Sequence, residues 1–143
     1  ATAVFTGSFE DVAGAKAAAL ALIDQGNDFL FHNANAAALG VFGAATERGV
    51  YAFGSNKDQN SLAPSVLASA VIDLPRAFVE AARTVKEGRF DGQPIRYGLA
   101  SGVVSFVWNP ALLGRVPAPV VDEVERTKER IVSGALVVPR GNF

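Results

Sequence analysis

The chain has 143 residues, of which 50% are hydrophobic and 19% are charged. This composition is typical of a folded globular protein and excludes a disordered one, and a chain of this length can bury a core without disulfides. The net charge is −1, and the chain contains no cysteine and one histidine. Nucleic-acid binding is therefore not expected, and thiolate chemistry, disulfides and metal sites built from several histidines are excluded.

The first part of the chain alternates short apolar runs with alanine-rich segments. Residues 2–6 are predicted to form a strand, and a helix over 12–25 follows, capped by Asp11 or Ser8 and ended by Gly26. A second strand is predicted at 28–33. The next helix, over 36–48, has Asn35 as its predicted N-cap and Gly49 at its end.

The second part continues the alternation. A strand at 50–54 leads into a polar loop, and residues 66–72 form another apolar run. Pro75 favours the first turn of a helix that extends to Glu87. Strands are predicted at 95–99 and 103–108, followed by a charged amphipathic helix over 119–133 and a short strand at 135–138.

This order of strands and helices predicts a single α/β domain over residues 1–143, a three-layer sandwich around a mainly parallel sheet. Ligands of such sheets bind beyond the carboxyl ends of the strands. That rule nominates the loops at 7–9, 32–35, 54–58, 73–74 and 100–102. The uncharged runs 29–46 and 97–114 contain too many polar and helix-breaking residues for either to be predicted to span a membrane.

Three residues in the first two of these loops are candidates for ligand contact. Phe9 follows the first predicted strand and either packs beneath a helix or stacks on a planar ligand. Asn33 and Asn35 follow the second predicted strand. Asparagine there either caps the next helix or donates to and accepts from a ligand, and the two roles are compatible.

The loop after the third predicted strand supplies further candidates. Gly54 is followed by Asn56 and Asp58, which ordinary turn chemistry favours and which can also bind ribose or sugar hydroxyls. Asp73 stands at the end of the next predicted strand. His32 is interpreted as a packing or ligand-lining residue, because no serine lies in a nucleophile elbow near it. Dinucleotide-binding and P-loop motifs are absent, so no cofactor and no catalytic residue is predicted.

Several segments together resemble the basic membrane protein family of bacterial substrate-binding lipoproteins, also called the purine nucleoside receptor type. The segments are Phe5-Thr6-Gly7-Ser8-Phe9-Glu10-Asp11, Ala21-Leu22-Ile23-Asp24-Gln25-Gly26-Asn27-Asp28, Leu39-Gly40-Val41-Phe42, Gly49-Val50-Tyr51-Ala52-Phe53-Gly54, Asp58-Gln59 and Leu62-Ala63-Pro64. The resemblance implies one lobe of a type I periplasmic binding protein that delivers a purine nucleoside, a purine base or a similar solute to an ABC permease. It further implies a periplasmic or extracytoplasmic protein, lipid-anchored when full-length. The chain resembles the C-terminal half of such a protein, and its helix at 75–88 is expected to belong to the other lobe.

Two departures from the family pattern bear on the ligand. The family loop Gly-Val-Asp-x-Asp-Gln reads Gly54-Ser55-Asn56-Lys57-Asp58-Gln59 here, so an amide replaces the first carboxylate. The family segment Gly-Leu-Lys-Glu-Gly reads Gly98-Leu99-Ala100-Ser101-Gly102 and lacks the lysine. These changes favour a free purine base or another small planar solute at least as much as a nucleoside, with Asp73 a partial replacement for the missing acid.

Two rival functions remain at this point. An effector-sensing domain of a transcriptional or signalling regulator would use the same lobe and would require a DNA-binding segment elsewhere. A nucleoside hydrolase would require an acid cluster or a paired base, neither of which the sequence contains.

The apolar face of the helix at 75–87 is also expected to associate two copies of the truncated chain into a homodimer.

Overall fold

A computed structural model describes residues 1–139 of the chain. These residues fall into two compact units. Unit 1 comprises Ala1–Val71 and Phe106–Leu113, and unit 2 comprises Ile72–Ser105 and the chain from Gly114 onward. The chain therefore passes from one unit to the other three times, and each unit is described separately below.

The strands and helices largely follow the predicted order. The strands are β1 (Phe29–Phe31), β2 (Tyr51–Asn56), β3 (Val66–Ile72) and β4 (Val104–Trp108). The helices are α1 (Val12–Asp24), α2 (Ala38–Arg48), α3 (Leu74–Lys86) and α4 (Ala118–Val132), with short 3₁₀ turns at Leu99–Ser101 and Leu113–Arg115.

The strands form one sheet in the order β1-β2-β3-β4. β1 pairs parallel with β2, with Phe31 opposite Phe53, and β2 pairs parallel with β3. Backbone bonds from Asp73 N–H to the Val103 carbonyl and from Asn109 N–H to the Leu67 carbonyl indicate that β4 runs antiparallel to β3. The predicted α/β class, with a mainly parallel sheet and flanking helices, is confirmed.

Helix α1 begins and ends where its sequence signals predict. The Asp11 carboxylate accepts a hydrogen bond from the Gly14 N–H at 2.9 Å, which satisfies one of the unpaired amides of the first turn. Gly26 follows the helix with φ of +91°, a conformation that favours glycine. α1 packs closely on α2 at Gly40, where a Cβ atom would lie 2.1 Å from the Val12 carbonyl oxygen.

The core of unit 1 lies where α1, α2 and the first three strands meet. Leu30, Phe42 and Val66 are its larger buried members, surrounded by small buried alanines such as Ala52. Truncation of a buried phenylalanine such as Phe42 costs about 3–5 kcal/mol. This core fixes the positions of the loops that follow β1 and β2.

In unit 2, α3 and α4 are strongly amphipathic, and neither contains a buried residue among those described. Asp73 caps α3, accepting a hydrogen bond from the Arg76 N–H at 3.0 Å, and Pro75 lies in its first turn as predicted. The apolar face of α3 is exposed, with Phe78 72% accessible.

Three predicted strands are wrong. Residues 2–6, 95–99 and 135–138 form no strand in the described part of the chain, and Leu99 instead begins a 3₁₀ turn. A strand requires a neighbour to satisfy its backbone groups, and none of these segments pairs with another within residues 1–139.

Candidate functional site

The carboxyl ends of β1 and β2 carry several of the predicted ligand-contacting residues. Because the two strands are parallel and Phe31 faces Phe53, the loops that follow them begin side by side, one strand spacing of about 4.8 Å apart. Asn33 lies two residues beyond β1, and Asn56 is the last residue of β2. Both side chains are exposed at this edge.

The loop before α1 is joined to the same edge by backbone hydrogen bonds. The Phe9 carbonyl accepts from the N–H groups of Asn35 and Ala37, each at 3.1 Å. The Phe9 ring is 60% exposed, so it is available to a ligand rather than buried beneath a helix. The structure thus brings Phe9 next to the residues that follow β1.

Asn35 does not cap α2, so that prediction is wrong. The helix begins at Ala38, and its N-cap, Ala37, makes no side-chain bond. Residues 35–37 form a tight turn instead, in which the Ala38 N–H donates to the Asn35 carbonyl. The Asn35 amide donates to the Glu10 carboxylate at 2.8 Å and therefore ties the two loops together.

The loop after β2 depends on Gly54 and on an unusual backbone at Asn56. A Cβ atom on Gly54 would lie 2.4 Å from the Ser69 Oγ atom and 2.9 Å from the Gln59 Cβ atom, so only glycine fits there. Asn56 has φ of +67°, a left-handed conformation that asparagine tolerates better than most residues. The exposed Asp58 carboxylate accepts from the Asn60 N–H at 3.0 Å and closes a turn.

The residue at the centre of this edge is Gln59, which the sequence analysis did not single out as a site residue. Its side-chain oxygen accepts from the Ser55 N–H at 2.8 Å and lies 2.9 Å from the Nε2 atom of His32. Its own N–H donates to the Ser69 Oγ atom at 3.0 Å. Gln59 therefore holds the loop after β2 against the loop after β1. The pair Asp58-Gln59 in the family motif was the signal that could have identified it.

His32 is a structural member of this network. Its Nδ1 atom accepts from the Ala34 N–H at 3.2 Å, which leaves Nε2 as the atom that donates to Gln59. The ring is buried and packs edge-on against Phe42. Burial lowers the pKa of His32 below its ordinary 6.5, opposed by the hydrogen bond to Gln59. The ring is therefore neutral near pH 7, as a packing residue requires.

Asp73 and Asp58 lie in other surroundings. Asp73 belongs to unit 2, where one carboxylate oxygen caps α3. Asp58 borders a hollow of about 630 Å³ in unit 1, which it shares with Asn60, Trp108 and Asn109. No other residue predicted to contact ligand lines this hollow. Within residues 1–139, no group of three or more acidic or histidine side chains could hold a metal ion.

Comparison with known proteins identifies the family. Residues 2–140 match the model of the Bmp family, described as ABC transporter substrate-binding protein PnrA-like. The chain belongs to the Bmp family. The resemblance to basic membrane proteins inferred from the motifs is thereby confirmed, and substrate binding is the activity by which this family is described.

Individual Bmp-family relatives extend this result. The chain is 32% identical to basic membrane protein A2 of Borrelia garinii, in an alignment that covers 96% of the chain and 42% of that protein. It is 36% identical to a purine-binding protein of Brucella abortus, covering 83% of the chain and 33% of the relative. It is 27% identical to the ABC transporter nucleoside-binding protein BmpA of Lactococcus lactis, in an alignment that covers 94% of this chain and 42% of that protein. The chain thus spans less than half the length of these relatives.

Solved structures share the fold. A transcriptional activator of the comK gene from Bacillus halodurans superposes with a TM-score of 0.78 at 20% identity, covering 94% of this chain and 47% of that one. An ABC transporter solute-binding protein from Aeropyrum pernix superposes with a TM-score of 0.72 at 21% identity, covering 97% of this chain and 48% of that one. Among residues 1–139, no helix has both the length and the apolar character that a bilayer span requires.

Proposed function

We propose that this chain forms part of a binding protein that captures a purine nucleoside, a purine base or a similar small planar solute for an ABC importer. The observation that carries the proposal is the carboxyl edge of β1 and β2. Gln59 joins the loops that carry exposed Asn33 and Asn56, and backbone bonds to Asn35 and Ala37 hold exposed Phe9 beside them. The names of the Brucella and Lactococcus relatives, a purine-binding and a nucleoside-binding protein, support this ligand class.

Each residue at this edge offers a suitable interaction. The exposed ring of Phe9 can stack on a planar base. The amides of Asn33 and Asn56 donate and accept, which matches the mixed donor and acceptor edge of a purine. Asp58, two residues beyond Asn56 in the same loop, can accept from hydroxyl or ring N–H groups. Asp73 belongs to unit 2 and is not counted as part of this edge. Asn35 and Gly54 support the site by fixing the loops rather than by contacting ligand.

The wider role follows from the same proposal. Unit 1 would form part of one lobe of a two-lobe protein, and unit 2, which contains α3, would form part of the other. The complete protein would be extracytoplasmic and lipid-anchored and would pass its ligand to an ABC permease. No step in this role requires a cofactor or bond cleavage, so incubation with adenosine or inosine should release no free base.

The test is a titration of the ¹⁵N-labelled chain with adenine, adenosine and guanosine, followed by amide chemical shifts. We expect saturable shifts at Phe9, Asn33 and Asn56 in the millimolar range, because the chain spans less than half the length of its relatives and would supply only part of the complete site. Amides at the opposite ends of the strands, such as Asp28, should not shift.

Matched variants assign the contacts. Asp58→Ala should weaken binding by roughly tenfold or more, because a hydrogen bond to a charged group contributes about 1.5–3 kcal/mol. Asp91→Ala is the control, since its carboxylate closes a similar turn by accepting from the Gln93 N–H at 3.0 Å. Asn56→Gly preserves the left-handed backbone while removing the amide, and it should weaken binding about three- to tenfold.

The aromatic contact has its own pair of variants. Phe9→Ala should weaken binding, whereas Phe5→Ala, at a ring that is more exposed still, should not. The proposal is wrong if no purine shifts the amides of this edge, or if Asp58→Ala, Asn56→Gly and Phe9→Ala all bind as the wild type does.

A further inference from the structure

The turn at residues 55–59 carries two oppositely charged side chains at the carboxyl end of β2. Lys57 and Asp58 follow Asn56, the last residue of β2, and both are exposed. Within residues 1–139, the Lys57 ammonium makes no ion pair and no hydrogen bond. One oxygen of the Asp58 carboxylate accepts from the Asn60 N–H at 3.0 Å, and the other has no partner in the described part of the chain. The turn therefore presents a charged donor and a charged acceptor on adjacent residues.

The backbone of this turn is held by hydrogen bonds within the chain. The Ser55 N–H donates to the Gln59 side-chain oxygen, and the Lys57 N–H donates to the Ser55 carbonyl, each at 2.8 Å. The Gln59 N–H donates to the Ser69 Oγ atom at 3.0 Å. Because these N–H groups already have acceptors, the turn offers a ligand its side chains rather than its backbone.

The bend at Asn56 is of a strained kind. Its φ of +67° and the bond from the Lys57 N–H to the Ser55 carbonyl are features of a γ-turn with positive φ, which is rare in proteins. Asn56 is the one non-glycine residue with a positive φ among those described. Residues held in such conformations concentrate at ligand-binding sites, where the surrounding structure maintains them. The bend thus displays Lys57 and Asp58 at a position that local backbone energetics alone would not select.

A cationic and an anionic side chain next to each other distinguish between purines. A 6-oxopurine such as guanine or hypoxanthine carries two neighbouring acceptors, O6 and N7, which suit the Lys57 ammonium. Its N1–H is a donor, which suits the free oxygen of Asp58. Adenine has an amino donor at position 6 and an acceptor at N1. In the same pose, adenine would therefore set a donor against the ammonium and a lone pair against the carboxylate.

We propose that Lys57 and Asp58 select 6-oxopurines over adenine. The Lys57 ammonium donates to O6 and N7, and the Asp58 carboxylate accepts from N1–H. This inference rests on the proposed function, because it names the purine that this edge takes. Guanine adds its 2-amino group as a second donor beside N1–H, and charge-assisted pairs of this kind are the stronger ones. The expected order of affinity is guanosine, then inosine, then adenosine.

The test is a titration of the ¹⁵N-labelled chain with inosine and adenosine, followed by amide chemical shifts. The two nucleosides differ only in the group at position 6 and in the proton at N1. We expect inosine to bind about fivefold or more tightly than adenosine, because adenosine would leave both charged groups without a partner.

Variants of the two charged residues assign the selectivity. Lys57→Met removes the charge at similar length and should bring the two affinities within about twofold, whereas Lys57→Arg keeps the donors and should keep the preference. Lys86→Met, at an exposed lysine that ends α3 in unit 2, is the control and should leave the ratio of affinities unchanged.

Asp58→Asn is the sharper change. The asparagine oxygen can still accept from the Asn60 N–H, so its NH₂ group replaces the free carboxylate oxygen. That donor matches the N1 acceptor of adenosine and opposes the N1–H of inosine, so the preference should reverse. Unchanged amide shifts of Ser55 and Gln59 verify that each variant keeps the turn.

The outcomes separate this inference from the proposed function. Equal affinities of the wild-type chain for inosine and adenosine would overturn the selectivity and leave purine binding intact. A preference for inosine that persists in both Lys57→Met and Asp58→Asn would do the same, because other residues would then discriminate. Failure of every purine nucleoside to bind would overturn the proposed function, and this inference with it.

Discussion

Replacing Gln59 should weaken unit 1, although its side chain is only partly buried. In Gln59→Leu the side chain keeps its approximate volume, but the oxygen that accepts from the Ser55 N–H and from His32 Nε2 is lost. A buried donor left without an acceptor costs about 1–3 kcal/mol. Since water reaches part of this edge, we expect the two orphaned donors to cost about 2–4 kcal/mol together. That is a large share of the roughly 5–15 kcal/mol that stabilises a typical domain.

The assay is urea unfolding followed by the fluorescence of Trp108, the single tryptophan, which lies in unit 1. With a urea dependence of about 1–3 kcal/mol per molar, the midpoint should fall by roughly 1–2 M. Gln59→Glu keeps both acceptor interactions and should lose much less. Gln25→Leu, at an exposed glutamine after α1, is the control. Equal midpoints for Gln59→Leu and Gln25→Leu would refute the central role of Gln59.

Three further predictions concern packing, pH and association. Gly40→Ala should destabilise the chain by about 1–3 kcal/mol, because the added Cβ atom would meet the backbone of α1. Gly43→Ala in the same helix has open space around the added Cβ atom and should stabilise the chain by up to about 1 kcal/mol. Thermal unfolding of both variants tests this difference. Because burial lowers the pKa of His32, protonation of its ring favours the unfolded chain. The free energy of unfolding should therefore fall as the pH drops below about 6.5. In urea titrations at several pH values, His32→Asn should remove that dependence. The chain should self-associate through the exposed apolar face of α3. Light scattering should detect less association for Phe78→Asp than for Phe90→Asp. A strictly monomeric wild-type chain at about 100 μM would contradict this expectation.

The sequence by itself determined most helix boundaries and the places where the candidate ligand-binding residues follow strands. Caps and breakers are local signals, so Asp11 and Gly26 delimited α1, and Pro75 marked the start of α3, within one or two residues. The apolar run at Val66–Ile72 matched β3 at both ends. The order of elements alone implied a parallel sheet and therefore an edge at which Asn33 and Asn56 would lie.

The tertiary structure decided what depends on partners distant in the chain. A strand exists only if another strand pairs with it, and for that reason the pattern at residues 2–6 could not reveal that no strand within residues 1–139 pairs with this segment. The role of Gln59 rests on atoms contributed by His32, Ser55 and Ser69, up to 27 positions away. Asn35 carries the composition of a helix cap, yet its amide bonds to Glu10, because the fold brings the loop before α1 within 2.8 Å of it. Local propensity describes what a residue can do, and the packing of α1, α2 and the sheet selects which of those options satisfies every buried polar group at once.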